Sequence, residues 1–314
     1  MKRLTMKDKT YVRLIQSGVQ LLEGTINVMV LLLFIGCIAF GVYAMWDSNQ
    51  LYVDANATQY EQYKPRAEDK DNRSFNELKE INEEVIGWLS VYGTNIDYPL
   101  TQAEDNETYV NTSVTGEKVL SGSIFLDYRN QSDFSDFNSI IYGHHMNQQV
   151  MFGEIGEFQD EAYFQERRYG KLYNGKKEYG IEFFAFVEAD GYDKSIYTPA
   201  IIAPDKQQDY LAGLLEKALH IREIEDNSFE HLVLLSTCTS SVTNGRHILV
   251  GRLSDTIYDD YFLKAAIAGE FDNGDWNNPI FWGIIVILVF VTVTLALFQR
   301  HRTRKGTTWN KKVD

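Results

Sequence analysis

Residues Leu232–Arg252 read LVLLSTCTSSVTNGRHILVGR, and much of the architecture follows from them. The apolar run enters Ser236-Thr237-Cys238 without interruption, which predicts a strand over Leu232–Thr237. A polar loop follows, and Gly245-Arg246 then opens a second strand, Ile248–Leu253. Such a pair forms a hairpin, and the hairpin returns Arg246 to the side of Cys238. A cysteine at a strand end lies on the rim of a sheet rather than in its core. A guanidinium beside it can donate hydrogen bonds to an oxyanion that develops when the thiol attacks an acyl group. The same residues would also suit an inert buried cysteine near a salt-bridged arginine.

Upstream, Asn138–Gly153 reads NSIIYGHHMNQQVMFG. A strand over Ser139–Tyr142 ends at Gly143, where the backbone can turn tightly, and His144 follows at once. An imidazole at a strand end suits acid–base work near neutral pH, although a pair such as His144-His145 can equally be plain surface. Further short apolar or β-branched runs predict strands at Trp88–Tyr92, Ile96–Leu100, Ser123–Leu126 and Tyr179–Val187. Helical inserts are expected at Phe152–Phe164 and at Asp205–His220, where Leu211, Leu214, Leu215 and Leu219 share a face. Ahead of the strands, Phe75, Leu78, Ile81, Val85 and Ile86 recur at helical spacing up to Gly87, with Ser74 and Glu77 placed as a capping box. Many short strands with few helices predict a mainly β chain folded as a closed or nearly closed barrel.

Two uncharged apolar stretches stand apart, Val28–Trp46 and Pro279–Phe298. Each is roughly 20 residues, enough to cross a hydrocarbon core of about 30 Å as a helix. Basic residues flank their outer ends: Lys2, Arg3, Lys7, Lys9 and Arg13 before the first, Arg300, Arg302, Arg304, Lys305, Lys311 and Lys312 after the second. Basic flanks stay on the cytoplasmic side. The expected organisation is therefore a cytoplasmic tail (1–27), a membrane anchor (28–46), a polar stalk (47–73), a catalytic domain (74–254), a linker (255–278), a second membrane helix (279–298) and a basic cytoplasmic tail (299–314). The first apolar run is longer than that of a cleaved signal peptide, which favours an uncleaved anchor. Residues 47–278 hold 19 basic against 41 acidic side chains, a balance that argues against a nucleic-acid partner. Of the two cysteines, Cys37 falls inside the first apolar run, so Cys238 is the only thiol expected outside and has no partner for an internal disulfide.

Taken together, the Gly-His after a strand, the Thr-Cys at the end of a later strand and the arginine opening the last strand resemble the sortase family, in that order, across about Asn76 to Leu253. The stretches VIGWLSVYGTNIDYPLTQ, SGSIFLDYRNQSDFSDFNSIIYGHHMNQQVMFGEI and LLSTC are similar to the class B branch. The resemblance implies a sortase-type barrel preceded by a helix, and a cysteine transpeptidase anchored in the cell membrane of a Gram-positive bacterium. By it, Cys238 attacks the carbonyl of a threonine in a C-terminal sorting signal of a secreted protein. An amine from a cell-wall precursor or a pilin lysine then resolves the thioacyl-enzyme. His144, which directly follows the glycine, is implied as the acid–base group in preference to His145. Arg246 is implied as the oxyanion partner ahead of Arg252, and Thr237 and Ser236 as lining of the substrate site. No cofactor and no metal are implied. One feature departs from class B: a second membrane span after the barrel is more typical of pilin-polymerising class C sortases, yet their Asp-Pro-aromatic lid motif is missing from the sequence.

Two other functions fit the same residues or topology. A thiol hydrolase on this fold would use water as the final nucleophile, and a non-catalytic membrane receptor or scaffold would need none of the three residues. The acidic pair Asp133/Asp136 lacks metal-site spacing and reads as solvated turns, and His220, His231 and His247 form no ligand pattern.

Overall fold

The computed structural model describes residues 6–66, 72–224, 229–238 and 244–267. The second apolar stretch, Pro279–Phe298, and the tail after it lie outside the described residues. Among the described residues nine strands form one sheet: β1 (Val85–Val91), β2 (Asp97–Thr101), β3 (Ile124–Leu126), β4 (Asn138–Tyr142), β5 (Tyr169–Tyr173), β6 (Glu178–Asp190), β7 (Ala218–Ile221), β8 (Leu232–Cys238) and β9 (Gly245–Ser254). Their order is β5-β1-β2-β3-β4-β8-β9-β6-β7, and β5 also pairs with β6. That extra pairing closes eight strands into a barrel and leaves β7 on the free half of the β6 edge. Two pairings, β2–β3 and β4–β8, are parallel.

The barrel is filled by one side of each strand. Leu89, Leu100, Leu126, Ile141, Phe183, Phe186, Val233, Leu235 and Leu249 pack inside, with Phe152, Ile155 and Phe158 closing one end. The opposite faces of β6, β8 and β9 carry Ala185, Val187, Leu232, Leu234, Ile248 and Val250. These are covered by Tyr210 and Leu214 of a helix over Pro204–Glu216. Both faces of β8 are therefore apolar, which explains its unbroken hydrophobic run.

Several expected boundaries shift. The helix before the barrel spans only Arg73–Ile81, starts at Asn72 rather than Ser74, and gives way to β1 at Val85. Ser74 lies inside it, its hydroxyl donating to Lys64 O at 3.2 Å. Asn82 ends it in an extended conformation, and its Oδ1 accepts from Glu84 N at 3.0 Å, so Val85 and Ile86 enter a strand, as their β-branched side chains favour. The helix expected at Phe152–Phe164 is two pieces, a 3-10 segment over Gly153–Gln159 and a short α-helix over Glu161–Glu166. Asp160 divides them: it terminates the first and caps the second, its Oδ1 accepting from Tyr163 N at 2.9 Å. The helix expected to reach His220 stops at Glu216, and Leu219 belongs to β7.

A single helix runs from Met6 to Ala55 and contains the first apolar stretch, whose side chains are exposed. Among the described residues it is the one helix long and apolar enough to cross a membrane. The expected stalk is not loose where it is described. Ala55 is buried against the barrel core, and its carbonyl accepts from Tyr98 Oη at 3.0 Å. A 3-10 segment over Ala57–Tyr63 buries Tyr60, and Lys64 pairs with Asp97.

Candidate active site

Strand parity places the thiol. On β8 the side chains of Val233, Leu235 and Thr237 point into the barrel, so those of Leu232, Leu234, Ser236 and Cys238 point outward. On β9, Leu249 and His247 point inward while Arg246, Ile248 and Val250 point outward. The two strands are antiparallel with Cys238 directly opposite Arg246. Cys238 and Arg246 are thus neighbours on the outer face at the barrel's rim, with the guanidinium donating to Gly245 O at 3.1 Å and lying over Gly191. Arg246 has room because residue 191 is glycine: a Cβ there would come within 3.1 Å of its Cζ. Cys238 is exposed.

The histidine arrives from the adjacent parallel strand. β4 and β8 run in register from Asn138–Leu232 to Tyr142–Ser236, so both chains reach the same rim. Gly143 N donates to Ser236 O at 3.2 Å, and His144 follows. A Cβ at Gly143 would sit 2.7 Å from the Phe152 ring, so this approach requires glycine. His144 Nε2 lies 2.8 Å from Val110 O. A carbonyl only accepts, so Nε2 carries the proton and Nδ1 is the nitrogen left to the cleft. His145 faces the other way: its Cε1 and His247 Nδ1 both flank Gly156, and the Nδ1 atoms of both rings are buried with no hydrogen-bond partner among the described residues. Burial holds His247 below the usual histidine range, against the opposing pull of Glu188.

Cys238, His144 and Arg246 line one cleft of about 270 Å³, together with Asn106, Val110, Phe125, Tyr142, Gly143, Ser236 and Thr237. Ser236 presents its hydroxyl, 2.9 Å from Tyr197 Oη. Burial pushes the Tyr197 phenol up to about 12, so it stays protonated. Its ring stacks on Tyr142 with centroids 6.3 Å apart. Thr237 contributes differently from Ser236, because its Oγ1 is buried on the inner face with no partner among the described residues. Arg252, at the far end of β9, is held by Glu182 at 2.8 Å and lies outside the cleft. Asp133 and Asp136 are turn caps, accepting from Ser135 N and Gln131 N. Among the described residues no group of acidic, cysteine and histidine side chains could hold a metal ion.

Sequence reasoning missed the cleft's walls. Tyr142 was within reach of it, since it directly precedes Gly143-His144. Asn106 and Val110 arrive on connecting segments with no motif to mark them, as does Tyr197, which backs Ser236 and Tyr142.

The arrangement has the parts of covalent acyl transfer: an exposed sulfur nucleophile, with an imidazole and a cation lining the same cleft. No family model matches the chain. Sortase B of Listeria monocytogenes is 31% identical over 179 residues, covering 56% of this chain and 72% of that protein. The crystal structure of sortase B from the Type II pilus of Streptococcus pneumoniae is 48% identical, with a TM-score of 0.50, covering 57% of this chain and 98% of that one. A class B sortase involved in pilus biogenesis in Streptococcus pyogenes is 39% identical with a TM-score of 0.53, covering 57% and 97%. The barrel, its thiol-bearing strand end and these likenesses converge: the chain belongs to the sortase B family and is a cysteine transpeptidase.

Proposed function

We propose that Cys238, His144 and Arg246 cleave a C-terminal sorting signal of secreted proteins after threonine and join the acyl group to an amine. Cys238 passes its thiol proton to His144 Nδ1 as Sγ bonds to the threonine carbonyl carbon, the carbonyl oxygen becomes an anion, and the peptide C–N bond then breaks. The leaving amine takes a proton from His144. An incoming amine then attacks the thioester, its surplus proton returns to His144, and the thiolate leaves. Arg246 donates hydrogen bonds to the carbonyl oxygen while it is an anion. Ser236 and Thr237 belong to the wall along which the donor peptide lies, with Tyr197 supporting Ser236 from behind. The observation that carries this reading is the direct register of Cys238 with Arg246 at the rim reached by His144.

The pilus associations of the Streptococcus pneumoniae and Streptococcus pyogenes proteins favour a pilin lysine as the amine over a cell-wall precursor. The barrel works outside the cell, held by the helix through Val28–Trp46, with a second span at Pro279–Phe298 and both termini in the cytoplasm. Cys238→Ala tests the nucleophile. Transpeptidation should vanish while the thermal melt is unchanged, and a methanethiosulfonate should inactivate the wild type by modifying Cys238. Activity retained by the alanine variant would rule this thiol out. Product analysis with and without added amine separates transfer from hydrolysis.

A further inference from the structure

Asp127 is fully buried behind the cleft and is not part of its lining. It directly follows β3, and its backbone N donates to Ile140 O of β4 at 2.8 Å, so its position is fixed by the barrel. Its carboxylate collects donors from three places. Oδ2 accepts from Asn106 Nδ2 and from Tyr142 Oη, each at 3.0 Å. Arg129 closes a fork on it, Nε to Oδ1 at 2.9 Å and Nη2 to Oδ2 at 2.8 Å, and Arg129 N adds a bond to Oδ1 at 3.0 Å. Asn106 and Tyr142 both line the cleft. Asn106 is pinned from its other end too, its Oδ1 accepting from Tyr128 N at 3.0 Å. Tyr142 stacks on Tyr197, which ends on Ser236, two residues from the thiol.

A carboxylate that served only to close its own turn would be satisfied by Arg129 and the backbone. Here two further donors come from separate elements, the loop after β2 and the end of β4, and both belong to side chains that meet the substrate space. We infer that Asp127 is a positioning residue for the acyl donor, holding the Asn106 and Tyr142 wall in the shape that binds the peptide while taking no part in the chemistry at sulfur. The inference rests on the proposed use of the cleft as the acyl-donor site. Burial pushes the Asp127 carboxyl up, but the hydrogen bonds from Arg129 more than offset this and leave it below the usual carboxylate range. It is therefore ionised throughout the neutral range, and its hold on the wall is independent of pH there. An amide at this position would turn its own N–H groups toward at least one of these donors and lose that bond.

The test uses the full chain in detergent. The donor is the fastest-cleaved member of a quenched fluorescent hexapeptide library with threonine fixed at the scissile position. Asp127→Asn should raise KM about tenfold, the scale of one lost charge-assisted hydrogen bond, with kcat within about twofold. The rate of Cys238 alkylation by a methanethiosulfonate should be unchanged. Asn106→Ala should also raise KM, and the double variant should be no worse than the poorer single variant, because both break the same wall. An unchanged KM in folded Asp127→Asn, a fall confined to kcat, or full additivity in the double variant would overturn the inference. If Asp127→Asn does not melt cooperatively, Tyr142→Phe takes its place: it keeps the ring and removes only the bond to Asp127, and an unchanged KM in that variant also overturns the inference. If the wild type cleaves no library member, the donor-site reading falls, and the positioning role with it.

Discussion

His144 and His145 are neighbours in the chain with opposite surroundings, and this separates their roles. His144 lines the cleft with Nε2 tied to Val110 O, whereas His145 lies by Gly156 and His247. His144→Ala should lower transpeptidation by about 10²–10⁴-fold, the usual worth of acid–base help. His145→Ala should lose far less in the same assay, and the reverse ranking would transfer the acid–base role to His145. Arg246 tests geometry against charge. Arg246→Lys keeps the cation but loses the planar fork. If the fork serves the oxyanion, Lys should be nearly as poor as Ala, with turnover down about 10²–10³-fold. A lysine variant near wild-type rate would remove the donor role and leave the nucleophile untouched. His247 supplies a pH effect. Its folded value lies below the unfolded one of about 6.5, so below that pH the unfolded chain binds the extra proton. Its contribution to stability is present above about pH 6.5 and is lost as pH falls toward the folded value. The melting temperature of His247→Gln should therefore fall less than that of the wild type between pH 7.5 and 5.5. The three central site residues were legible because each sits at a strand end with a recognisable neighbour. Asn106 was not, since only the path of the chain brings it to the cleft, and neither were Tyr197 and Asp127, which the same path places behind the lining.

At the level of elements, the loop between β4 and the 3-10 segment is what presents His144. Phe152 N donates to His144 O at 3.0 Å and closes it, and a Cβ at Gly153 would meet Met146 O at 1.9 Å. Gly153→Ala should therefore force the backbone apart, costing about 1–3 kcal/mol as overpacking does and lowering the melting temperature by several degrees. Activity should fall further than the melt alone accounts for, because the other end of the loop is His144. An alanine variant with wild-type melt and rate would mean that the loop yields freely. Strands β4, β6, β8 and β9 were readable from sequence because their apolar runs are long and buried on both faces or one. β5, YGKLY, was not, since glycine and lysine interrupt its pattern while its pairing with β1 and β6 comes from barrel closure. β7 was read as the last turn of a helix, because Leu219 falls at helical spacing from Leu215. What ends that helix is the open half of the β6 edge, a partner from elsewhere in the chain.

For the whole molecule, the topological reading makes a direct prediction. Protease added to intact wall-stripped cells should release the barrel and leave both tails protected, and labelling of Cys238 only after the cytoplasm is opened would contradict it. The parallel β4–β8 pairing has a separate consequence. It joins segments roughly ninety residues apart in the chain, and barrel closure adds further distant pairs between β1 and β5. Contacts of such high sequence separation make folding slow, since loop entropy is lost before the contacts return it. As the chain is made from its N-terminus, the His144 strand comes long before the Cys238 strand; β4 has β3 and β8 has β9 as separate partners, and only the β4–β8 pairing joins the two halves. On the proposed roles, catalytic competence waits for the β4–β8 pairing, which brings Cys238 and His144 to one rim. A chain in which β8 has not yet paired with β4 carries the Cys238 thiol with no His144 imidazole at the same rim, so on the proposed roles the thiol stays idle until the barrel is assembled.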